Sequence, residues 1–345
     1  QQVWLWMPPC SCLSVSWQQD DFFVLPSVES REWSCLVPSG RPMFVSPGVN
    51  TLDWLDSVTL RKLQMTKLPH SIGPLLVDEP DISRAWAKAV LHVIDHAGPE
   101  ISPLILSVTG FDERGVVQET PAIRSTLDTL LAAKRMRSVD DVAFTIFPQR
   151  LWQVAQGDRA ALFRYYKDAF PRYQAMNARD NRRGLYFERM TGYGRGPCDG
   201  NQLEWILSQF EGREGVRRSM FQASVFDPAR DHVADAQLQF PCLQHVSFEP
   251  TKQGLVINAF YATQQLFVKA YGNYLGIAQL GAFMAHEMKT KLLRMNVVVG
   301  VAKFERISKS DADLQPLITA ARASLALQPV AVNAEVPAPV VETAA

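Results

Sequence analysis

The sequence alternates short β-branched runs with longer amphipathic runs between residues 81 and 304, and this alternation constrains the fold more than any other feature. Residues 81–97 carry apolar side chains at helical spacing behind Asp81, which can cap the first turn, and Gly98-Pro99 ends the run. Residues 104–109 form a β-branched run of strand length. Interleaved helices and strands predict an α/β or α+β domain, with little support for a bundle or a sandwich.

The same patterns predict further elements along the chain. Further strands are predicted at residues 142–147, 219–226, 246–248, 255–260 and 297–304. Further helices are predicted at residues 151–156, which Pro148 opens, and at residues 158–170, 201–210 and 274–288. The last of these helices is apolar on most sides and should be buried.

Composition limits the possible partners and the compartment. With 345 residues, of which 47% are hydrophobic, the chain can bury a large core. Lysine plus arginine equal aspartate plus glutamate at 35 each, so no global field favours nucleic acid or an anionic membrane, and an anion site must be built locally. No apolar run reaches the roughly 18 residues of a membrane span. Few, scattered cysteines favour a reducing cytoplasm.

The two ends of the sequence differ from its middle. Residues 1–42 are rich in tryptophan, proline, serine and cysteine without the pattern of a signal peptide, so we interpret them as an atypical extension, with Met43 as a plausible start. Residues 43–325 are predicted to form the main folded domain. Residues 326–345 are rich in alanine, valine and proline and are predicted to be a disordered tail.

Several common site signatures are absent or weak. The glycine spacing in residues 191–196 fits neither a dinucleotide fingerprint nor a P-loop, so a glycine-bearing turn is the better interpretation. Cys242 and His245 stand three residues apart, but no second pair supplies the remaining ligands of a zinc site. The sequence therefore predicts no metal site.

An ordered set of motifs between residues 192 and 288 is more informative. It begins with YGR at residues 193–195 and NQL at residues 201–203, continues with Arg217-Arg218 at the start of a strand that ends in Asp-Pro, and reaches Pro241-Cys242 after a short loop. The strand, turn and helix FYATQQLFVKAYGNYLGIAQL follow at residues 260–280. In this order the motifs resemble those of thymidylate synthases and the related pyrimidine hydroxymethylases. Looser matches at residues 112–115 and 147–157 extend the resemblance toward the N-terminus.

The resemblance implies that residues 43–325 are a catalytic domain with a layered fold, in which a mixed β-sheet is flanked by helices and forms a homodimer through its face. It implies that Cys242 is the nucleophile, that a pyrimidine nucleotide and a folate, 5,10-methylenetetrahydrofolate, are the partners, and that Asn273 contacts the base. Residues that would bind substrate are Arg114, Arg217, Arg218, Tyr261 and Lys303. Arg217 and Arg218 would reach phosphate across the dimer, since guanidinium groups bind phosphate bidentately and also favour a neighbouring thiolate.

This sequence departs from the family at several positions. Gln149 stands where the family has the glutamate that organises proton transfer, and glutamine cannot exchange a proton at neutral pH. Leu243 replaces a histidine, Leu266 replaces a carboxylate, and the family's arginine in the strand after Cys242 is missing. A nucleotide-binding or regulatory homologue without catalysis therefore remains an alternative.

Plain structural roles also remain open for the residues of the candidate site. Cys242 could be a small buried side chain, and Arg217 and Arg218 a solvated pair. Asn273 could simply cap the helix that follows it.

Overall fold

A mixed sheet of seven strands organises the computed structural model, which describes residues 71–194, 196–234 and 240–327. The strands are β1 (Leu75–Glu79), β2 (Glu100–Ile101), β3 (Leu104–Val108), β4 (Gln222–Ser224), β5 (Leu243–Pro250), β6 (Leu255–Gln265) and β7 (Leu292–Lys303). Their order is β1-β3-β7-β6-β5-β4, and β2 pairs with β7. The β1–β3 and β6–β7 pairs are parallel, and the remaining pairs are antiparallel. The predicted α/β class with helices flanking a mixed sheet is confirmed at this level.

The described helices precede, interrupt and follow the strands. They are α1 (Ile82–Asp95), α2 (Pro121–Ala133), α3 (Val139–Phe144), α4 (Gln149–Ala155), α5 (Arg159–Met176), α6 (Tyr186–Thr191), α7 (Gln202–Gly212), α8 (Pro228–Asp231), α9 (Ala270–Glu287) and α10 (Gln315–Ala326). Short 3-10 turns occur at Cys198–Gly200, Arg218–Met220 and Ala312–Leu314.

Two helices with a capping side chain, α1 and α7, lie close to their predicted positions. The carboxylate of Asp81 accepts a hydrogen bond from the Arg84 amide at 3.0 Å, and Asn201 accepts one from Glu204 at 3.0 Å at the start of α7. These bonds satisfy backbone donors that a helix leaves unpaired at its N-terminus.

The strand predicted at residues 142–147 is wrong, because this segment belongs to α3 and the turn after it. Ser138 caps the helix by accepting from the Asp141 amide at 3.1 Å, and acidic side chains occupy the first turn. The β-branched composition of a short run does not decide between helix and strand when a cap and tertiary packing favour the helix.

Helix α9 is the central helix of the described core and packs against α3. A Cβ atom added at Gly272 would lie 2.6 Å from the Val139 carbonyl oxygen, and one added at Gly276 would lie 2.8 Å from that of Ala143. Only residues without a side chain permit this close approach. Fourteen of the residues of α9 are buried, as its apolar sequence predicts.

The turn between β6 and α9 is fixed by buried hydrogen bonds. The indole of Trp86 donates to the Leu266 carbonyl at 2.9 Å, and the Leu266 amide donates to the Lys303 carbonyl at 2.7 Å. On the first turn of α9, the Tyr271 hydroxyl donates to Glu119 at 2.7 Å. These contacts set the position of the N-terminus of α9.

One face of the sheet exposes an apolar row that crosses four neighbouring strands. Each residue of the row pairs with one on the next strand: Leu76 with Ile105, Ile105 with Val298, and Val298 with Phe260. In the order Leu76, Ile105, Val298 and Phe260, the exposed fractions are 71%, 38%, 38% and 44%. The next row on this face is polar, with Asn296 donating to Asn258 at 2.8 Å. The apolar row is therefore a continuous stripe that lies beside a row of hydrogen-bonded polar side chains.

The predicted extension at residues 1–42 lies outside the described residues, as does the predicted tail beyond residue 327. Among the helices that the structure describes, none has the length and apolar character needed to cross a membrane.

Candidate functional site

A cavity of about 770 Å³ opens beside the N-terminus of α9. Its walls come from the loops before α3 and α6, from Phe240 and Pro241, from the end of β6, and from Arg306 beyond β7. The volume lies in the range of small-molecule sites, which are commonly about 300–1,000 Å³. Segments far apart in sequence thus meet at one concave surface.

Cys242 lies next to two residues that line this cavity, Pro241 and Tyr186. It directly precedes β5, and its carbonyl accepts a hydrogen bond from the Ala262 amide of β6 at 3.0 Å. This pairing holds the half-buried side chain over β6, where the Thr263 hydroxyl donates to the Cys242 sulfur at 3.7 Å. Both residues of the Pro-Cys motif are therefore positioned by the sheet.

Tyr186, the first residue of α6, places its hydroxyl beside the Cys242 thiol and the backbone amides of Cys242 and Leu243. Burial, followed by the neighbouring Cys242, raises the pKa of Tyr186 well above its usual value, although the two amides act in the opposite direction. The phenol is therefore neutral at physiological pH and can donate a hydrogen bond.

Tyr261 lies in the core behind the same thiol. It is fully buried, and its hydroxyl has no hydrogen-bond partner among the described residues. Burial raises the pKa of Tyr261 well above its usual range. The neighbouring Tyr274 donates to Gln264 at 2.7 Å, so the core behind Cys242 contains several neutral polar groups.

Asn273 lines the cavity from the first turns of α9. Only 3% of the residue is exposed, yet its side-chain amide makes no hydrogen bond to any residue that the structure describes. The helix begins at Ala270 with Lys269 in the capping position, so the possible role of Asn273 as a helix cap is wrong. The amide of Asn273 is not among the solvent-inaccessible polar atoms without a partner, so it reaches the cavity, where water or a ligand can complete its hydrogen bonds.

The cavity wall carries more positive than negative charge. Its cationic side chains are Arg137, Arg179, Arg189, Lys269 and Arg306, and Asp180 is the only carboxylate among its described residues. Arg137 and Asp180 approach to 3.1 Å. The chain as a whole is neutral, so the excess at the cavity is local.

Arg189 is a structural member of this wall. It is buried, and its five N–H donors bond to both oxygens of Asp231 at 2.8 Å and to the carbonyls of Val225 and Arg183. Burial alone would raise the pKa of Asp231, but hydrogen bonds from Arg189 and the Asp227 backbone lower it below its usual value. This pair ties α6, and hence Tyr186, to α8.

Two predicted substrate residues, Arg217 and Arg218, lie away from the cavity of their own chain. They are exposed at the 3-10 turn before β4, which is the edge strand of the sheet. Lys303 also points elsewhere, because its ammonium group lies 3.9 Å from a carboxylate oxygen of Glu100 on β2.

Arg114 and Gln149 belong to the opposite end of α9. Arg114 pairs with Asp112 at 3.4 Å and lines a shallower depression with His286. Asn273 and His286 are separated by 13 helical residues, or about 20 Å. Gln149 begins α4, whose Trp152 packs on Phe283 near that same end. The structure does not bring these two residues to the cavity.

Sequence reasoning missed Tyr186, Lys269 and Arg306 as residues of the site. Lys269 lies within the motif at residues 260–280, four residues before Asn273. Its position just ahead of a predicted helix could have indicated that it belongs to the site. Tyr186 and Arg306 carry no local signature, since only tertiary structure brings their segments to Pro241.

In the described ranges, no group of three or more histidine, cysteine or acidic side chains could hold a metal ion. No family model matches the sequence, and no curated protein is significantly similar to it. The likeness to thymidylate synthases therefore rests on the motifs and their order, and the function is a matter for proposal.

Proposed function

We propose that this chain is a folate-dependent transferase that moves a one-carbon unit onto C5 of a pyrimidine nucleotide, with Cys242 bonded to C6 of the base during the reaction. The observation that carries the proposal is that the half-buried thiol of Cys242 lies beside Pro241 and Tyr186 in the wall of a cavity that Asn273 also lines, with no protein hydrogen-bond partner described for the Asn273 amide. Cys242 and Asn273 are the two residues to which the motif order gives the nucleophile and the base contact.

The chemistry asked of Cys242 is addition of its thiolate to C6. The sulfur–C6 bond forms, and the electron pair of the C5=C6 bond moves to C5, which can then bond to an electrophilic carbon. Loss of the C5 proton breaks the bond between the transferred carbon and the folate nitrogen and leaves an exocyclic methylene group on C5. That methylene would accept hydride or water, and its electron pair moves into the ring to restore the C5=C6 bond as the sulfur–C6 bond breaks and the thiolate leaves. Covalent addition divides one difficult substitution into easier steps.

Thr263 and Tyr186 supply hydrogen-bond donors around the thiol. The Thr263 hydroxyl donates to sulfur at 3.7 Å, and the neutral Tyr186 phenol can donate to sulfur or to a carbonyl oxygen of the base. Donors that are already oriented stabilise negative charge as it develops, without reorganisation. Asn273 can donate to and accept from the base edge with a single amide.

The apolar part of the cavity suits a flat ring system. It is lined by Met136, Val142, Leu185, Phe240 and Val268. These residues would hold the ring of 5,10-methylenetetrahydrofolate, which when bound supplies the one-carbon unit. Ligand sites usually combine such apolar walls with a few placed polar groups.

A homodimer through the open sheet face fits the proposal. Phe260 and Val298 lie in the exposed apolar row, and a continuous apolar row on a sheet is typical of an interface. Arg217 and Arg218 do not line the cavity of their own chain, so a role in phosphate binding requires that they enter the cavity of a second copy.

A nucleotide-binding protein without catalysis is the second candidate, and one observation favours it. Gln149 cannot exchange a proton and lies outside the cavity, and the single carboxylate in the described wall, Asp180, is bonded to Arg137. The chain thus lacks an evident base for the C5 proton in the described wall.

Intact mass spectrometry separates the two candidates. The full chain is incubated with dUMP, dCMP, UMP or CMP, with and without 5,10-methylenetetrahydrofolate, and the protein and the products are weighed. We expect a covalent adduct in wild type and in Cys198→Ser, and none in Cys242→Ser. Cys198 is a suitable control because it is an exposed free thiol.

Release of tritium from C5-labelled nucleotide provides the matching kinetic test, because addition at C6 labilises that hydrogen. Release at the full wild-type rate in Cys242→Ser would remove Cys242 from the mechanism. Tight nucleotide binding with neither adduct, release nor product would support the binding protein instead.

A further inference from the structure

The first turn of α9 lies at the cavity without a capping side chain. Lys269 occupies the capping position and offers no acceptor, so the first backbone N–H groups of an 18-residue helix have no side-chain partner. The N-terminus of a helix of this length also carries partial positive charge. Both features favour an anion at this end of the cavity.

Two exposed cations line the same cavity as this turn. Lys269 and Arg306 both line the cavity, and neither forms an ion pair with another residue that the structure describes. The other three cations of the wall differ, because Arg189 is neutralised by buried Asp231, Arg137 is bonded to Asp180, and Arg179 also has an interaction partner. The charges of Lys269 and Arg306 are therefore available to a ligand.

The buried amide of Asn273 is an independent sign that a ligand binds here. The residue is 3% exposed, lines the same cavity, and has no hydrogen-bond partner in the described chain. A polar group in this condition is normally completed by water or by a bound molecule. The amide lies one turn into α9 from Lys269, so one ligand can contact both.

The wall lacks the arginine that the family motif places on the strand after the nucleophilic cysteine, because Thr263 stands there and contacts the Cys242 sulfur. Arg217, Arg218 and Arg114 do not line the cavity of the same chain. A phosphate bound within one chain would thus need other cations.

We infer that Lys269, Arg306 and the first turn of α9 form the phosphate-binding end of this cavity, and that they hold the phosphate of a nucleoside monophosphate within a single chain. This inference rests on the proposed function for the identity of the nucleoside, but not for the anion site itself. A lysine ammonium and an arginine guanidinium are both strong donors to phosphate oxygens.

Calorimetric titration of the full-length protein tests the site. The ligands are dUMP, deoxyuridine and inorganic phosphate, and the proteins are wild type, Lys269→Gln, Arg306→Gln and the double variant. Lys252→Gln is the matched control, because Lys252 is exposed in the turn between β5 and β6. Both tested side chains are exposed, so the variants should fold, and their thermal midpoints verify this.

We expect each single variant to weaken dUMP binding roughly tenfold and the double variant further, with deoxyuridine affinity unchanged. Inorganic phosphate should compete with dUMP in wild type, and dUMP affinity should fall with added salt less steeply in the double variant. The control should bind dUMP as wild type does. Wild-type affinity for dUMP in both single variants and the double variant would overturn the inference, as would an equal loss for deoxyuridine.

The adduct assay distinguishes failure of this inference from failure of the proposed function. Suppose that binding depends on the phosphate and needs Lys269 and Arg306, but no adduct forms at Cys242. This result would support the anion site and refute the proposed reaction. An adduct at Cys242 in wild type, with dUMP affinity unaffected by the variants, would support the reaction and overturn the inference.

Discussion

Loss of the Arg189–Asp231 pair should destabilise the protein more than loss of any exposed ion pair. In Arg189→Met the apolar stem is approximately retained, but Asp231, which is fully buried, keeps only the Asp227 amide as a partner. The carbonyls of Val225 and Arg183 also lose a donor. Breaking a buried pair from one side typically costs about 3–5 kcal/mol.

The expected change is large enough to measure in two ways. Chemical denaturation should show a fall of about 3–5 kcal/mol in the free energy of unfolding. For a domain of this size, thermal unfolding should move down by roughly 10 °C, at about 2–4 °C per kcal/mol. Arg322→Met is the control, because its bond to Asp95 at 2.6 Å is exposed and should contribute less than about 1 kcal/mol.

The pH dependence of this difference follows from the lowered pKa of Asp231. A carboxyl whose pKa is lower in the folded state contributes stability above its unfolded pKa of about 3.9, and loses it as pH falls through the folded pKa. Without Arg189 the buried carboxyl of Asp231 should have a raised pKa. Protonation at lower pH then removes the cost of burying its charge in the variant. The stability difference between wild type and Arg189→Met should therefore begin to shrink above pH 4, where the variant takes up a proton on folding, and shrink further below about pH 4, where wild type loses the contribution of its ionised carboxyl.

A double variant checks the cause. Arg189→Met with Asp231→Leu removes both charges, and replacement of a buried pair by apolar groups is often neutral or stabilising, so it should recover much of the loss. A loss below about 1 kcal/mol in Arg189→Met, with an unchanged dependence on denaturant, would refute the reasoning, as would a double variant no more stable than the single one.

Three further outcomes are expected. Gly272→Ala should lower stability by about 1–3 kcal/mol in thermal denaturation, because its Cβ would lie 2.6 Å from the Val139 carbonyl oxygen, whereas a gain from helix propensity would contradict this packing. Phe260→Glu should yield monomers in sedimentation experiments, and an unchanged dimer would exclude the open sheet face as the interface. Tyr186→Phe should slow adduct formation roughly 10²-fold with little change in nucleotide affinity, and equal rates would exclude its hydroxyl from the step.

Local signals in the sequence predicted those elements whose ends are fixed by local chemistry. Asp81 and Asn201 cap helices close to their predicted starts, and the apolar run that became α9 is buried as expected. Residues 142–147 were not predictable in the same way, because Ser138 lies outside the run and the packing against Gly272 is remote in sequence. Where local composition is ambiguous, the tertiary partner decides the structure.

The candidate site shows the same division. Cys242 and Asn273 were predicted from one stretch of ordered motifs, and the structure places Asn273 in the wall of the cavity and Cys242 beside it. Motif order is not enough for Gln149 and Arg114, since their distance from Asn273 depends on where along α9 each segment packs. Tyr186 and Arg306 have no motif, and they join the site through packing alone.

The departures from the family pattern become connected once the cavity is considered as a whole. A threonine at position 263 brings a hydroxyl to the Cys242 sulfur where an arginine would bring charge. Removing that arginine leaves the phosphate of the proposed substrate without its partner on the strand, and the available cations of the wall are Lys269 and Arg306 on neighbouring loops. In the proposed anion site, these cations would bind phosphate beside the N-terminus of α9, where the first amides of the helix would add donors. The two proposals together predict the effect of adding Thr263→Arg to the Lys269→Gln variant. An arginine at position 263 should not restore dUMP affinity, because the phosphate is proposed to lie at the start of α9 and not at β6.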